Sequence, residues 1–290
     1  MHALVLSGGS AKGAYECGAL NYLIGELENR YETLHGVSVG AINCAFLAQF
    51  PYGQEKQASL EMKKLWLELR DKYIYKNWKP FGKIQTLWRS SFYDSSPLHN
   101  FIKSHISLDK IRKTGKIVTV GVVSLSSGKY HVKDQTDDNF IDYVVASASF
   151  PVVFSPIKIN GEWWIDGGLK TVSPISTAID HNANKIDVII TSPKYRTPLW
   201  IDHPSVLDVL KRSIDLFTDK IMSNDIEKVI MYNRLAEAGF TDKKFVSINI
   251  IRPDTNLIED LLDFTPSKIK NMMFYGYNDA KKKYTSNITA

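Results

Sequence analysis

The sequence lacks most of what builds a secreted or membrane-spanning protein. Its two cysteines, Cys17 and Cys44, are too few for a disulfide framework. Both sit in apolar stretches, so reduced core thiols of a cytosolic-type protein are expected. No histidine and cysteine cluster has metal-ligand spacing, and no metal site is expected. The longest apolar run, Val37 to Phe50, is about 14 residues and is interrupted by Ser38, Asn43 and Gln49. A bilayer span needs roughly 20. Met1-His2 leads straight into Ala3-Leu4-Val5-Leu6, a run too short for a signal-peptide core. These absences predict a soluble, cytoplasmic protein that touches membranes only transiently. There is no internal repeat and no Gly/Ser-rich or Pro-rich linker, so the 290 residues are expected to form one domain with a sizeable core. A large excess of one charge sign is lacking too, the net value being a mildly basic +5. Basic residues are not interleaved with aromatics densely enough for nucleic acid. The one run, Lys281-Lys282-Lys283, reads as a solvated tail or as attraction to an anionic lipid surface, worth about 1 kcal/mol per Lys.

What is present alternates between strand and helix patterns. Ala3 to Ser7 reads as a buried strand, Ala11 to Asn29 as a helix, Thr33 to Gly36 as a second strand and Val39 to Gln49 as the helix after it. Ile117 to Ser124, Lys185 to Thr191 and Phe245 to Ile251 are further β-branched strands, with Gly128 to Lys133 and Ile157 to Ile165 as meander or hairpin strands. In Ser205 to Ala238, residues Leu207, Leu210, Ile214, Phe217 and Ile221 recur at helical spacing, predicting a packed face. The pattern implies an α/β fold, a three-layer α/β/α sandwich on a mainly parallel sheet.

Two glycine-flanked turns carry the chemistry. Ser7-Gly8-Gly9-Ser10-Ala11-Lys12-Gly13 follows the first strand and offers a row of backbone N–H groups at a helix start, suited to negative charge. Gly36-Val37-Ser38-Val39-Gly40 is a G-x-S-x-G pattern, which holds a serine on a tight strand-to-helix turn with its hydroxyl exposed. Nucleophile and anion cradle together suggest acyl transfer. A serine needs a base. His181 and His203 are formal candidates, but neither lies in a loop-and-glycine setting. Trp163-Trp164-Ile165-Asp166-Gly167-Gly168 places an Asp at a strand end before a sharp turn, which in isolation is an ordinary turn signal. A dinucleotide loop with Glu26 or Glu32 as ribose acid is the other reading of the first turn, but Ser10 stands where such a loop needs its central glycine.

Taken in order, Gly8-Gly9-Ser10-Ala11-Lys12-Gly13, Gly36-Val37-Ser38-Val39-Gly40 and Asp166-Gly167-Gly168 resemble the patatin-like phospholipase family. Ala146-Ser147-Ala148-Ser149-Phe150-Pro151 resembles the family's Ala-Ser-x-x-x-Pro segment. Leu262-Asp263-Phe264-Thr265-Pro266 with Gly276-Tyr277 resembles the C-terminal helix of bacterial members. The likeness runs from about residue 3 to about residue 284. It implies a Ser–Asp dyad without histidine, with Ser38 as nucleophile and Asp166 as general base. It implies an oxyanion hole from Gly8, Gly9 and Ser10, with Lys12, Gly13, Gly36, Gly40, Gly167 and Gly168 in support, and no metal or organic cofactor. The substrate implied is a phospholipid or related acyl ester met at a membrane surface. This chain departs from the family at Ser10, where a third glycine is usual. A positive φ there costs a serine about 1 kcal/mol.

The segment from Trp66 to Trp88 gathers Trp66, Tyr73, Tyr75, Trp78, Phe81 and Trp88 with Lys72, Lys76, Lys79 and Lys83. Core packing explains such aromatics, and so does an interfacial cap or lid over residues 57–100. An inactive relative serving as a lipid-binding module is the remaining alternative.

Overall fold

The computed structural model describes residues 1–78, 89–195, 202–203, 206–240, 245–258 and 260–286. Eight strands form one sheet: β1 (His2–Leu6), β2 (Thr33–Val37), β3 (Ile117–Ser124), β4 (Tyr130–Asp134), β5 (Ile157–Ile159), β6 (Glu162–Asp166), β7 (Lys185–Ile189) and β8 (Ser247–Ile251). The helices are α1 (Gly13–Leu20), α2 (Val39–Leu47), α3 (Glu55–Glu68), α4 (Ser96–His105), α5 (Leu108–Thr114), α6 (Phe140–Ser147), α7 (Ile175–Asp180), α8 (Val206–Glu237) and α9 (Pro266–Ser286).

Strands β3-β2-β1-β7-β8 are parallel neighbours in that order, and β4, β5 and β6 add antiparallel pairings at the β3 side. Side chains alternate across the sheet. Leu4 and Leu6 of β1 enter a core with α1, α2, α3 and α9, while Ala3 and Val5 enter a second core with α7 and α8. Two apolar layers on one sheet make the three-layer α/β/α sandwich that the alternating pattern implied. Chain order reverses at β1, with β2 on one side and β7 on the other. In open α/β sheets such a switch point, at the carboxyl ends of the strands, forms a crevice.

Some elements differ from the sequence reading. The stretch Ala11 to Asn29 is not one α-helix. A 3₁₀ turn at Ser10–Lys12 leads into α1, which widens into a π-helix at Asn21–Glu26. There Ser59 donates a 2.7 Å hydrogen bond to the Asn21 side chain. Helix α3 ends early because Leu69 turns to extended backbone and buries its side chain. The sequence reads Gln57 to Trp88 as helical at first with a break at Lys79-Pro80-Phe81-Gly82, and that break lies outside the described residues. Phe217, expected on a packed face of α8, is 69% exposed. Both cysteines are buried and unpaired.

The expected cap divides. Residues 57–68 belong to the body of the protein, since Ala58, Met62 and Trp66 of α3 are buried against α1 and α2. Beyond α3, Tyr73 is exposed, Tyr75 leans on Tyr93 and Trp78 donates from Nε1 to the Ser91 carbonyl. Phe81 and Trp88 lie outside the described residues. No helix among the described residues is long and apolar enough to cross a membrane.

Candidate active site

The first two turns meet at the carboxyl ends of β1 and β2. Ser38 has φ 57° and ψ −127°, a strained conformation for a residue with a Cβ, and it stands just before α2 without its side chain capping the helix. The flanking glycines are explained by close approach. A Cβ on Gly36 would stand 2.3 Å from the Gly40 carbonyl oxygen, and one on Gly40 would stand 2.4 Å from that of Leu6. A side chain at Gly36 would drive β2 from the start of α2, and one at Gly40 would drive the elbow from β1.

The register of β3 brings the third motif to the same place. Gly121 is the last β3 residue paired to β2, opposite Val37, and Val122 is the first paired to β6, opposite Asp166. Asp166 therefore follows directly beyond the end of β2, beside Ser38. It is 1% exposed. Its Oδ1 accepts the Gly168 N–H at 2.7 Å, which fixes the carboxylate plane. Oδ2 is buried without a formed hydrogen bond. Burial pushes the Asp166 carboxyl up to about 7, opposed by the Gly168 N–H and by the nearby Ser38 hydroxyl. The Trp163-Trp164-Ile165 run supplies only part of that burial, since Trp163 is 46% exposed. Gly167 is needed because a Cβ would meet the Gly121 carbonyl at 2.4 Å.

The glycine-rich loop lies against both residues. A Cβ on Gly8 would come within 3.2 Å of the Ser38 Cβ, and one on Gly9 within 2.2 Å of Thr191 Oγ1. The N–H of Gly8 is used, donating to the Val172 carbonyl at 3.2 Å. Of the three expected oxyanion donors, Gly9 and Ser10 are the two whose N–H groups make no hydrogen bond among the described residues. Ser10 has φ 52°, the positive value that favours glycine. Lys12 is buried rather than facing solvent. Gly13 admits α2 and α3, since a Cβ would fall 2.4 Å from Val39 and 2.7 Å from Trp66.

Sequence reasoning missed the residues that brace these turns. Ser147 Oγ accepts the Ser38 N–H at 2.9 Å and donates to the Gly121 carbonyl at 2.7 Å. The Ser149 carbonyl accepts the Asp166 N–H at 3.1 Å. The Ala146–Pro151 segment thus grips nucleophile turn and acid together; its likeness to a family segment was visible, its role was not. Thr191 Oγ1 donates to the Gly8 carbonyl at 2.7 Å. Behind the turns, Glu16 on α1, Asn43 on α2 and Trp66 on α3 form a buried chain, with Asn43 Nδ2 donating to Glu16 at 2.8 Å and Trp66 Nε1 donating to Asn43 at 3.1 Å. Burial pushes the Glu16 carboxyl well above its ordinary range. Neither candidate histidine joins the site. The His181 ring lies 5.1 Å from that of His35, with Nδ1 2.8 Å from the Thr177 carbonyl, and His203 is exposed. Among the described residues no group of acids, histidines and cysteines could hold a metal.

Fold and site together define an α/β/α protein with a strained serine elbow, a buried aspartate and a glycine loop at the carboxyl ends of its central strands. Residues 4–179 match the model of the patatin-like phospholipases, and the chain belongs to that family. It is similar to probable lipid hydrolase 463L of Invertebrate iridescent virus 6, with 27% identity over 265 residues that cover 83% of this chain and 88% of the viral protein. Among solved structures it is similar to VipD from Legionella pneumophila, with 13% identity and a TM-score of 0.47 over 98% of this chain and 67% of that one. A chain of the ExoU–SpcU complex of the Pseudomonas aeruginosa type III secretion system gives 14% identity and a TM-score of 0.43 over all of this chain and 52% of that one.

Proposed function

We propose that this chain is a lipid acyl hydrolase working through an acyl-serine on Ser38, with Asp166 as its general base. Membership of the patatin-like phospholipases and likeness to a viral protein named a lipid hydrolase support hydrolysis of lipids in general. The observation that carries the finer reading is the buried Asp166 beside the Ser38 elbow, with its acidity moved to about 7. An ordinary aspartate, at about 3.9, is too weak a base for neutral pH. Moved to about 7, it is matched to the task.

In this mechanism Ser38 Oγ attacks the ester carbonyl carbon as its proton passes to Asp166 Oδ2, the oxygen that Gly168 leaves unbonded. The carbonyl oxygen becomes an oxyanion and takes the N–H groups of Gly9 and Ser10. Collapse breaks the ester C–O bond, and the leaving alkoxide, a lysolipid or glycerol oxygen, takes the proton from Asp166. Water then attacks the acyl-serine while Asp166 again accepts the proton. The carbon–Ser38 bond breaks, Ser38 is reprotonated and the fatty acid departs. The exposed Tyr73, with the Lys72 ammonium 4.9 Å from its ring, and the half-buried Trp78, with Arg89 at 4.8 Å, supply interfacial chemistry for the lipid surface.

The test pairs a fluorophosphonate label with hydrolysis of p-nitrophenyl butyrate and of phospholipid liposomes. Labelling of the wild type on Ser38, with Ser38→Ala folded, unlabelled and inert on both substrates, is the expected result. A wild type that hydrolyses both substrates but is never labelled removes the acyl-serine. Silence on both substrates favours the lipid-binding module.

A further inference from the structure

Helix α8 lies beyond the family-matched segment and packs on the second core. Among its described residues, Met222, Asp225 and Val229 are buried. They share one face, three and four residues apart. Met222 and Val229 join the apolar layer under β1 and β7. A carboxylate between them is costly unless its hydrogen bonds are met.

They are met by the turn that follows the acid motif. Asp225 Oδ2 accepts the N–H of Val172 at 2.9 Å and of Ser173 at 3.1 Å. The Val172 carbonyl in turn accepts the Gly8 N–H at 3.2 Å. Gly8 packs on Ser38, where a Cβ would come within 3.2 Å of the serine's own. Between Asp166 and Val172 the chain is a tight series of turns, with Lys170 and Thr171 both donating to the Gly167 carbonyl. One short rigid segment therefore carries Asp166 at its start and grips the glycine loop near its end.

We propose that Asp225 is a positioning residue, the anchor through which α8 holds the oxyanion loop at its working distance from Ser38. The inference rests on the acyl-serine reading and extends it to a helix outside the matched family segment. Burial raises the Asp225 carboxyl to about 6, against the lowering by Ser173, Val172 and Lys228, so it is ionised above that pH and its two hydrogen bonds are charge-assisted. Without it the Val172–Ser173 turn loses its end restraint, and Gly9 and Ser10 move with Gly8. A displacement of about 1 Å in such machinery costs up to about 100-fold in rate.

Wild type, Asp225→Ala, Asp225→Asn and Met222→Ala are compared for kcat and KM on p-nitrophenyl butyrate, fluorophosphonate labelling rate and Tm. Asp225→Ala should lower kcat and labelling by about 10- to 100-fold with KM within about twofold. Asp225→Asn keeps an acceptor of the same reach and should recover most of that loss while remaining about threefold slower than wild type. Met222→Ala removes packing from the same face, lowers Tm and leaves kcat unchanged. The inference fails if Asp225→Ala labels at the wild-type rate, or if Met222→Ala slows the reaction as much. Should the alanine variant not fold, Asp225→Asn decides, and wild-type labelling by it overturns the proposal. A wild type that is never labelled condemns the acyl-serine reading instead, so the two failures are distinct.

Discussion

Replacing Asp166 with Asn should slow turnover steeply and, at neutral pH and above, make the protein more stable. Asn keeps the volume and a carbonyl oxygen for the Gly168 N–H, which Asp166 Oδ1 accepts at 2.7 Å. What disappears is a carboxylate held almost wholly out of water. Its acidity stands at about 7 in the folded protein against 3.8 for the ordinary group, a difference of about three units. At 1.36 kcal/mol per unit, that is about 4 kcal/mol. The folded state holds this proton more tightly than the unfolded chain does. Wild-type stability therefore falls as pH rises from about 4 to about 7 on this account, and is flat above. Urea unfolding of both proteins at pH 4, 6 and 8 isolates the effect, because every other titration is shared. The advantage of Asp166→Asn should be near zero at pH 4 and grow to about 4 kcal/mol at pH 8, on the order of 8 °C in Tm. The rate should fall by about 10²–10⁴. An advantage that does not grow with pH, or an Asn variant less stable at pH 8, refutes the claim that burial sets this acidity.

Ser10→Gly removes a Cβ from a residue at φ 52° and should raise stability by up to about 1 kcal/mol, read as Tm, with activity kept or raised. Ser147→Ala strands the Ser38 N–H and should cost about 1–3 kcal/mol in urea unfolding, with a fall in kcat that Ser147→Thr partly restores. Asp187 accepts hydrogen bonds from Tyr31, Tyr284, Asn249 and His2, joining β7, β8, the first strand and α9. Burial raises its carboxyl, but those hydrogen bonds outweigh it and hold the group below the ordinary range. Its contribution is present above the ordinary carboxyl range and is lost as pH falls through the lowered value. Asp187→Ala should remove roughly 3 kcal/mol or more at pH 7, and the gap to wild type should close on acidification.

Several sequence signals were sufficient because their causes are local. A short unbroken apolar run, Ala3 to Leu6, gives a strand two apolar faces, so the buried first strand was legible, and the sandwich followed from the alternation of strand and helix signals. The glycines at positions 36, 40 and 167 were legible because each marks a place where two backbones pass within reach of a Cβ. Where local pattern failed, a distant partner decided. Phe217 keeps helical spacing with its neighbours yet is exposed; of that repeat Ile221 packs on the second core, where α8 also docks by Met222, Asp225 and Val229, residues that the repeat did not include.

The sequence by itself pointed to the residues proposed for the chemistry: a serine on a glycine-flanked turn, an aspartate at a strand end and a glycine-rich loop after the first strand. Only the tertiary structure decided that they meet. The β3 register sets Asp166 beyond the end of β2, 128 positions along the chain from Ser38 in this numbering. It also closed the Gly8 amide on Val172 and buried Lys12, and it gave Ser147, Thr191 and Asp225 their partners. The reason is physical. A turn is fixed by the conformations that its own residues allow, whereas burial, acidity and hydrogen-bond partnership are set by whatever the rest of the chain packs alongside.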